Sequence, residues 1–414
     1  MRTRSPSLGA ILLGLSASVL AFDDDAISAD YSARWRTEQV KQENQKSIDL
    51  SSIKFRLNVS AALSDQYAAV VEVDAVQHVL GGYPNDGVFS DGRPSIVDPE
   101  GVELNQAYLG FKNDDWQWQL GRQRIGLSEH RFVGDVGFRQ NDQTFDALRV
   151  SSEYFSDVIL DYAWLNRSHR PFGRDANSFL DKEDARHLAL NGLRPSGLLG
   201  QHRLNGHLFQ AQVKQHTYID WQLFALHLDN KDAPSLSNQT LSLQANLKRK
   251  INNHKWFASI GAAVQKRQDT NASGSRNYAL TELGVKYKLW SLSGRYEYFG
   301  SNNGQSFITP LATLHKFQGW ADQFLVTPSQ GLVDSSLRLQ WQQRPIHIDF
   351  RFHQYETAQG GIKLGKEYNL DLIFSPDRKH EFKLRFADFR AADNQTLRPN
   401  NVTKLFLMYS YNLK

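Results

Sequence analysis

The stretch that decides the fold is IKFRLNVSAAL, residues 53–63, in which apolar and polar side chains alternate. Ile53 and Phe55 fall on one face of an extended chain and Lys54 and Arg56 on the other, because successive side chains of a strand point in opposite directions. The same period of two recurs in residues 283–289, 292–298, 346–353 and 382–386. The pattern predicts an all-β chain, and no comparable helical periodicity accompanies it.

The connections between these segments are of two kinds that take turns along the chain. Short polar turns such as residues 113–115 and 376–378 alternate with long loops. Short turns at one end and long loops at the other predict a transmembrane antiparallel β-barrel of about 18 strands, with short periplasmic turns and long extracellular loops. Counted as a strand, His187 to Leu193 would break the alternation, so it is assigned to the loop from Asn166 to Gln201.

Aromatic residues support the same interpretation. Several of them stand beside the short turns, where rings with an apolar body and a polar edge would lie at a headgroup boundary. These residues are Tyr67, Trp116, Trp118, Trp256, Trp290 and Trp341.

Composition excludes several classes of protein. The 414 residues include no cysteine, which excludes disulfide scaffolds and cysteine-ligated zinc or iron–sulfur sites. The mean hydropathy is −0.51, and the single run that approaches a membrane-spanning helix is residues 8–21, which excludes a helical membrane bundle. A net charge of +4 gives no indication of nucleic-acid binding.

Residues 1–21 have the pattern of a secretory signal peptide. Arg2 and Arg4 form a basic start, an apolar stretch follows, and a small-residue cleavage site ends at Ala21. We therefore expect one barrel domain over residues 22–414, located in the bacterial outer membrane and in contact with its lipid.

Basic residues nominate a substrate pathway through the lumen. Glycines punctuate the chain around Arg122, Arg124, Arg131 and Arg139, and so bring several guanidinium groups near one pore mouth. Strand parity adds a second set of lumen candidates: Lys54, Arg56, Arg295, Arg338, Arg351 and Arg385. Arginine suits carboxylates because its planar fork binds both oxygens and stays charged. The alternative for the first four arginines is that they form structural ion pairs that hold the loop, and both roles can coexist; the acids concerned are Glu129, Asp135, Asp142 and Asp146. The alternative for the strand residues is that a water-filled lumen needs polar side chains of any kind.

The loop Thr309 to Phe324 is too apolar for an ordinary surface loop. We expect it to fold back and narrow the barrel. Its candidate constriction residues are His315, Lys316, Trp320 and Asp322. Trp320 either stacks on a sugar or, as the favoured alternative, anchors the loop to the inner wall.

Enzymatic motifs are absent from the sequence. It has no Gly-x-Ser-x-Gly elbow, no nucleotide-binding glycine loop and no His-Glu-x-x-His. His347, Asp349 and His353 share a strand face, but no ligand cage of known spacing surrounds them. We expect no catalytic residue, no cofactor and no metal.

Longer motifs are similar to those of the alginate export family of outer-membrane channels. They are residues 98–108, 120–125, 131–146 and 309–322, with a shorter one at 207–211. The resemblance implies a monomeric 18-stranded barrel whose electropositive constriction passes a polyuronate such as alginate.

The sequence thus predicts an outer-membrane channel for an anionic polysaccharide or its oligosaccharides, selected electrostatically by an arginine-bearing lumen. A general or sugar-uptake porin is the first alternative, and a barrel enzyme or a structural barrel is the second. Transport direction depends on periplasmic secretion or uptake partners outside this chain.

Overall fold

The computed structural model describes residues 26–81, 93–174, 176, 195–214, 218–268, 274–393 and 397–413. Within these ranges the chain forms twenty β-strands, and no helix has the length and apolarity needed to cross a membrane. The strands are β1 Ile27–Gln42, β2 Ile48–Ala62, β3 Tyr67–Gly81, β4 Gly101–Lys112, β5 Trp116–Gln123, β6 Thr144–Phe155, β7 Val158–His169, β8 Gln201–Lys214, β9 Ile219–Asn230, β10 Asn238–Ile251, β11 His254–Arg267, β12 Arg276–Tyr287, β13 Trp290–Phe299, β14 Ser301–Asn302, β15 Gln305–Ser306, β16 Leu332–Gln343, β17 Ile346–Glu356, β18 Lys363–Phe374, β19 His380–Ala391 and β20 Val402–Leu413.

All strands except β14 and β15 form one closed antiparallel sheet of 18 strands. Each pairs with its neighbours in chain order, and β1 closes the barrel by pairing with both β2 and β20. The short strands β14 and β15 form a hairpin of their own. The predicted 18-strand antiparallel barrel is confirmed. The predicted signal peptide and the stretch His187 to Leu193 lie outside the described residues.

Side-chain exposure is the reverse of that in a water-soluble protein. On β2, Phe55 and Leu57 are 42% exposed, whereas Lys54 is 5% exposed. On β20, Leu407 is exposed and Lys404 is buried. A continuous exposed apolar band needs an apolar solvent, as on the lipid face of a transmembrane barrel. The polar face of each strand therefore surrounds the lumen.

The aromatic residues beside the short turns point outward. Trp116, Trp118, Trp256 and Trp290 are exposed, and each lies at the end of a strand next to a short connection. Trp290 is the cross-strand partner of Trp341. Their placement is that of an aromatic girdle at one rim.

Two segments that start at the same end of the barrel contact each other. The first, residues 124–143, connects β5 to β6, and the second, residues 307–331, connects β15 to β16. An isolated bridge joins Val133 to Leu311, and the Gly134 amide donates to the Leu311 carbonyl at 2.9 Å. We call them the first and second inward segments.

Both inward segments also contact the inner wall on different sides of the barrel. Phe132 of the first stacks on Phe224 of β9, with ring centroids 5.1 Å apart. Phe324 of the second packs against Tyr355 of β17 at 4.6 Å and Phe389 of β19 at 5.6 Å. Because these strands lie far apart around the sheet, the segments reach across the lumen. The second inward segment therefore folds back into the barrel, as its apolar content predicts.

Candidate functional site

Asp142 ties the first inward segment to the wall through three basic side chains. Its carboxylate accepts hydrogen bonds from Arg56 (2.8 Å) and Arg124 (2.7 Å) and lies 3.6 Å from the Lys54 amine. Burial alone would raise the pKa of this carboxyl, but the three cations hold its pKa well below the usual range. Asp142 is therefore ionised, and Lys54, Arg56 and Arg124 are engaged in holding it.

Carboxylate oxygens of Glu72, Asp74 and Asp142 lie within 4.8 Å of one another, a spacing that a cation could use. Arg56 contacts all three carboxylates, with its shortest contact, 2.6 Å, to Asp74. Arg124 binds both Glu72 and Asp142. Guanidinium groups thus already neutralise these oxygens, and the cluster is an ionic crosslink between β2, β3 and the first inward segment.

A second buried cluster joins both inward segments to the strands at which the barrel closes. Arg139 donates to Glu38 of β1 (3.0 Å) and to Asp322 (3.2 Å), and the Lys404 amine of β20 donates to Asp322 at 2.7 Å. Burial lowers the pKa of Arg139, but the nearby carboxylates of Glu38, Asp98 and Asp322 outweigh that effect and raise it. Burial would raise the pKa of Asp322, yet His315, Lys404 and Arg139 hold it well below its usual range. Arg139 and Asp322 are therefore both charged.

His315 is held between an acceptor and a donor. Its Nδ1 lies 2.6 Å from Asp322, and its Nε2 lies 2.7 Å from a guanidinium nitrogen of Arg385. Neutral imidazole satisfies both contacts, with Nδ1–H donating and Nε2 accepting. Burial lowers the pKa of His315 to about 4, although Asp322 opposes the shift. The ring also stacks on Phe138 with centroids 3.7 Å apart, which joins the two inward segments.

Trp320 is buried against the wall beneath two guanidinium groups. Arg385 lies 3.8 Å and Arg351 4.6 Å from the ring centroid. Arg385 is itself held by Asp371 at 2.6 Å. The indole therefore packs between the second inward segment and strands β17 and β19, as the anchoring alternative requires.

Arg131 is buried at the contact between the two inward segments. It lies 2.9 Å from Glu297 of β13 and stacks over Phe317 and Phe299. A guanidinium with a carboxylate at its edge and rings on its faces fixes the position of both segments.

A different group of cations remains accessible in the lumen. Arg295, Arg338, Arg351 and Lys316 line one cavity of about 380 Å³. Arg338 has 38% of its side chain exposed and binds Asp349 at 2.6 Å, and Arg351 binds the same carboxylate at 2.9 Å. Asp349 is therefore shared by two arginines, and this leaves positive charge facing the cavity.

The pKa of the Lys316 amine reflects the positive charge of this cavity. The amine donates to the backbone carbonyl of Glu129 at 2.7 Å. The pKa of Lys316 is lowered, first by desolvation and further by the nearby Arg295, Arg351 and Arg338. Cationic neighbours disfavour another cation, so an anion in this cavity would be stabilised by the same field.

Glu129 supplies the opposing charge from an unusual turn. Ser128, Glu129 and His130 have φ values of 50°, 53° and 70°, a left-handed conformation that is costly for residues with a Cβ. The turn is held at Ser128, whose amide donates to Gln210 of β8 at 2.8 Å. Glu129 lines both the arginine-bearing cavity and an adjoining polar cavity of about 330 Å³ along β8–β12. Glu282 of β12 also lines both cavities. The lumen thus has a basic side and a polar side, with the acids Glu129 and Glu282 between them.

Arg122 does not join the lumen clusters. On β5 it shares strand parity with Trp118 and Leu120, which are exposed on the outer face. Its guanidinium binds Asp146 at 2.8 Å, and Asp146 also contacts His169 at 3.0 Å. The predicted place of Arg122 in the lumen therefore needs correction, because β5 continues to Gln123 and the chain turns inward only afterwards.

Two further residues considered in the sequence, Arg295 and His353, also have carboxylate partners on neighbouring strands. Arg295 contacts Glu282 at 3.3 Å, and His353 lies 2.9 Å from Asp334. Nothing in the sequence points to Glu38 and Lys404, because they meet only where the barrel closes. Glu129 is predicted only as an ion-pair partner of the nearby arginines, and nothing in its local sequence signals the left-handed turn.

No protein-family model and no curated protein matches this chain. The likeness to the alginate export family therefore gains no support from these comparisons.

Solved structures of outer-membrane porins do match. OccAB4 from Acinetobacter baumannii superposes with a TM-score of 0.70 at 10% identity, covering 94% of this chain and 98% of that one. OpdO from Pseudomonas aeruginosa gives 0.68 at 12% identity, with 94% and 97% covered. OpdK from Pseudomonas aeruginosa, solved with vanillate, gives 0.67 at 12% identity, with 93% and 98% covered. The similarity is one of fold.

Proposed function

We propose that this chain is a monomeric outer-membrane channel that admits small, carboxylate-bearing solutes. The observation that carries the proposal is the division of the basic residues. Arg139 and Lys404 are buried with acid partners, whereas Arg295, Arg338 and Lys316 face one cavity. Buried cations hold the inward segments, and cavity-facing cations are free to exchange partners with a passing anion.

The proposed selectivity is electrostatic and requires no covalent chemistry. A carboxylate entering the cavity would meet Arg338 and Arg351, whose planar forks can bind both of its oxygens. Asp349 competes for the same forks at 2.6 and 2.9 Å, so each contact is weak enough to release the solute. We assign Glu129 the role of limiting how tightly an anion is held.

The inward segments favour small solutes over polymers. They lie across the lumen and are fastened on several sides, at Asp142, Asp322 and Trp320. A stiff polymer would need these contacts to open, whereas a small solute would not. Passage of an anionic oligosaccharide is the second candidate, favoured by the resemblance of residues 131–146 and 309–322 to alginate-export motifs.

Flux into proteoliposomes tests this proposal. Entry of a monomeric uronate, oligouronates of increasing length and a neutral hexose of similar size would be followed in parallel. We expect the monomeric uronate to enter fastest and flux to fall steeply with length. Equal entry of the hexose would contradict anion selection, and undiminished entry of long oligouronates would favour the second candidate.

A further inference from the structure

The outer wall of the barrel carries a basic recess near the end where the inward segments begin. It is a cavity of about 300 Å³ whose lining includes Lys363, Lys366, Tyr368 and Arg390. These residues belong to β18 and β19, and the recess opens away from the lumen.

A β-bulge creates the recess. The register between β17 and β18 shifts at Tyr355 and Glu356, so that Glu356 pairs with Lys363 and Tyr355 with Gly365. The extra residue, Leu364, is buried, while Lys363 is exposed. Bulges re-aim side chains in this way. Lys363 and Lys366 consequently lie on the same outward face, although they are three residues apart.

Two like charges stand directly opposite each other in this recess. Lys366 and Arg390 are cross-strand partners, an arrangement that is destabilising for like charges. Arg390 is 61% exposed, and its Nε donates to Asp388 at 2.8 Å. Asp388 also accepts from Thr403 at 2.7 Å, so this one acid only partly offsets the pair. An anion bridging Lys366 and Arg390 would relieve the repulsion.

Along β18 the outward side chains run from charged to apolar, in the same order as the headgroup and tails of a lipid. The cations come first, and Tyr368, 43% exposed, packs against Phe352 with centroids 5.2 Å apart. The exposed Leu372 and Phe374 follow further down the wall. Tyr368 to Phe374 spans about 20 Å of extended chain, comparable with the height of the apolar band of an outer-membrane barrel.

We propose that this recess binds the phosphate of an outer-leaflet glycolipid headgroup. The inference rests on the membrane placement in the proposed function: long-loop ends of such barrels face the cell exterior. Lys366 and Arg390 hold the phosphate, Tyr368 lies at the sugar level, and the acyl chains follow the apolar wall below. A free phosphate ion would use only the first of these contacts.

Lipid retention on the purified full-length barrel tests the site. The protein in detergent would be titrated with a diphosphorylated lipid A, its dephosphorylated form and inorganic phosphate, and bound lipid counted by native mass spectrometry. We expect the parent protein to retain one diphosphorylated lipid. The double variant Lys366→Ala/Arg390→Ala should bind this lipid at least tenfold more weakly, whereas Lys366→Arg, which keeps the charge, should retain it as the parent does. Lys266→Ala removes another exposed outward cation from the same end, on β11, and should leave retention unchanged.

Equal retention by the double variant or of the dephosphorylated lipid would overturn the proposal, as would displacement of the lipid by millimolar inorganic phosphate. Ion conductance would be measured on the same preparations. It shows whether the barrel is folded and conducts, independently of whether the lipid is retained, so that a failure of the lipid site can be told from a failure of the channel proposal. We expect the double variant to conduct as the parent does, because both residues face away from the lumen.

Discussion

Replacing Asp322 with Asn should release the second inward segment from the wall. Asp322 is buried and binds His315, Arg139 and Lys404 at 2.6, 3.2 and 2.7 Å. Its φ of 60° suits asparagine as well as aspartate, so the substitution removes charge without straining the backbone. Glu38 would still contact both Arg139 and Lys404.

The expected cost follows from removing one partner of a buried ion cluster. Such losses destabilise by about 3–5 kcal/mol, because the other charges stay buried without compensation. That cost would reduce the ratio of docked to undocked segment by roughly two to nearly four orders of magnitude. We therefore expect larger and noisier single-channel conductance in planar bilayers, together with a lower urea midpoint.

Asp65→Asn is the matched control, because Asp65 is exposed in the turn between β2 and β3. It should leave both conductance and urea midpoint unchanged. If Asp322→Asn retained the parental conductance and lost less than about 1 kcal/mol of stability, the value expected of an exposed pair, the cluster would not be what holds the segment.

Three further predictions concern single residues. The folded-state pKa of His315 is about 4, below its usual value of 6.5. The contribution of the neutral imidazole to stability is therefore complete above pH 6.5 and declines as the pH falls toward 4. Channel noise should rise as the pH falls through that window, and in a His315→Gln variant it should not. Asp142→Asn removes a buried carboxylate from Lys54, which is buried, and from Arg56 and Arg124, which are half-buried. It should lower the free energy of unfolding by about 3–5 kcal/mol in urea titrations, and a loss under about 1 kcal/mol would argue against the crosslink. Glu129→Gln should increase the anion-to-cation permeability ratio severalfold, since it removes one of the two acids, Glu129 and Glu282, that line the arginine-bearing cavity. An unchanged ratio would place Glu129 outside the ion path.

The barrel itself could be predicted because strand parity is a local property. Residues 53–63 carry both faces of the wall in their own order, and the alternation of short and long connections fixes the closure and the strand number. No tertiary information was needed for either step.

The site could be predicted only in part, because it depends on where the inward segments dock. Arg122 and Arg124 are equivalent by spacing, yet only Arg124 follows the end of β5 and turns toward Asp142. Glu38 and Lys404 come from opposite ends of the chain and meet at the β1–β20 seam. Which cations are buried and which face the cavity follows from such contacts and not from local sequence.

The most direct test of the account is the reversal potential of single-residue variants in a salt gradient. We predict that the parent is anion-selective and that Arg338→Gln and Arg351→Gln each lower the anion-to-cation permeability ratio severalfold, since each leaves Asp349 with one guanidinium partner and removes one cavity cation. Arg122→Gln, on the outer-face parity of β5, should leave the ratio unchanged. Parental selectivity in both cavity variants, or an equal loss in Arg122→Gln, would contradict the assignment of the cavity-facing arginines as the selective site.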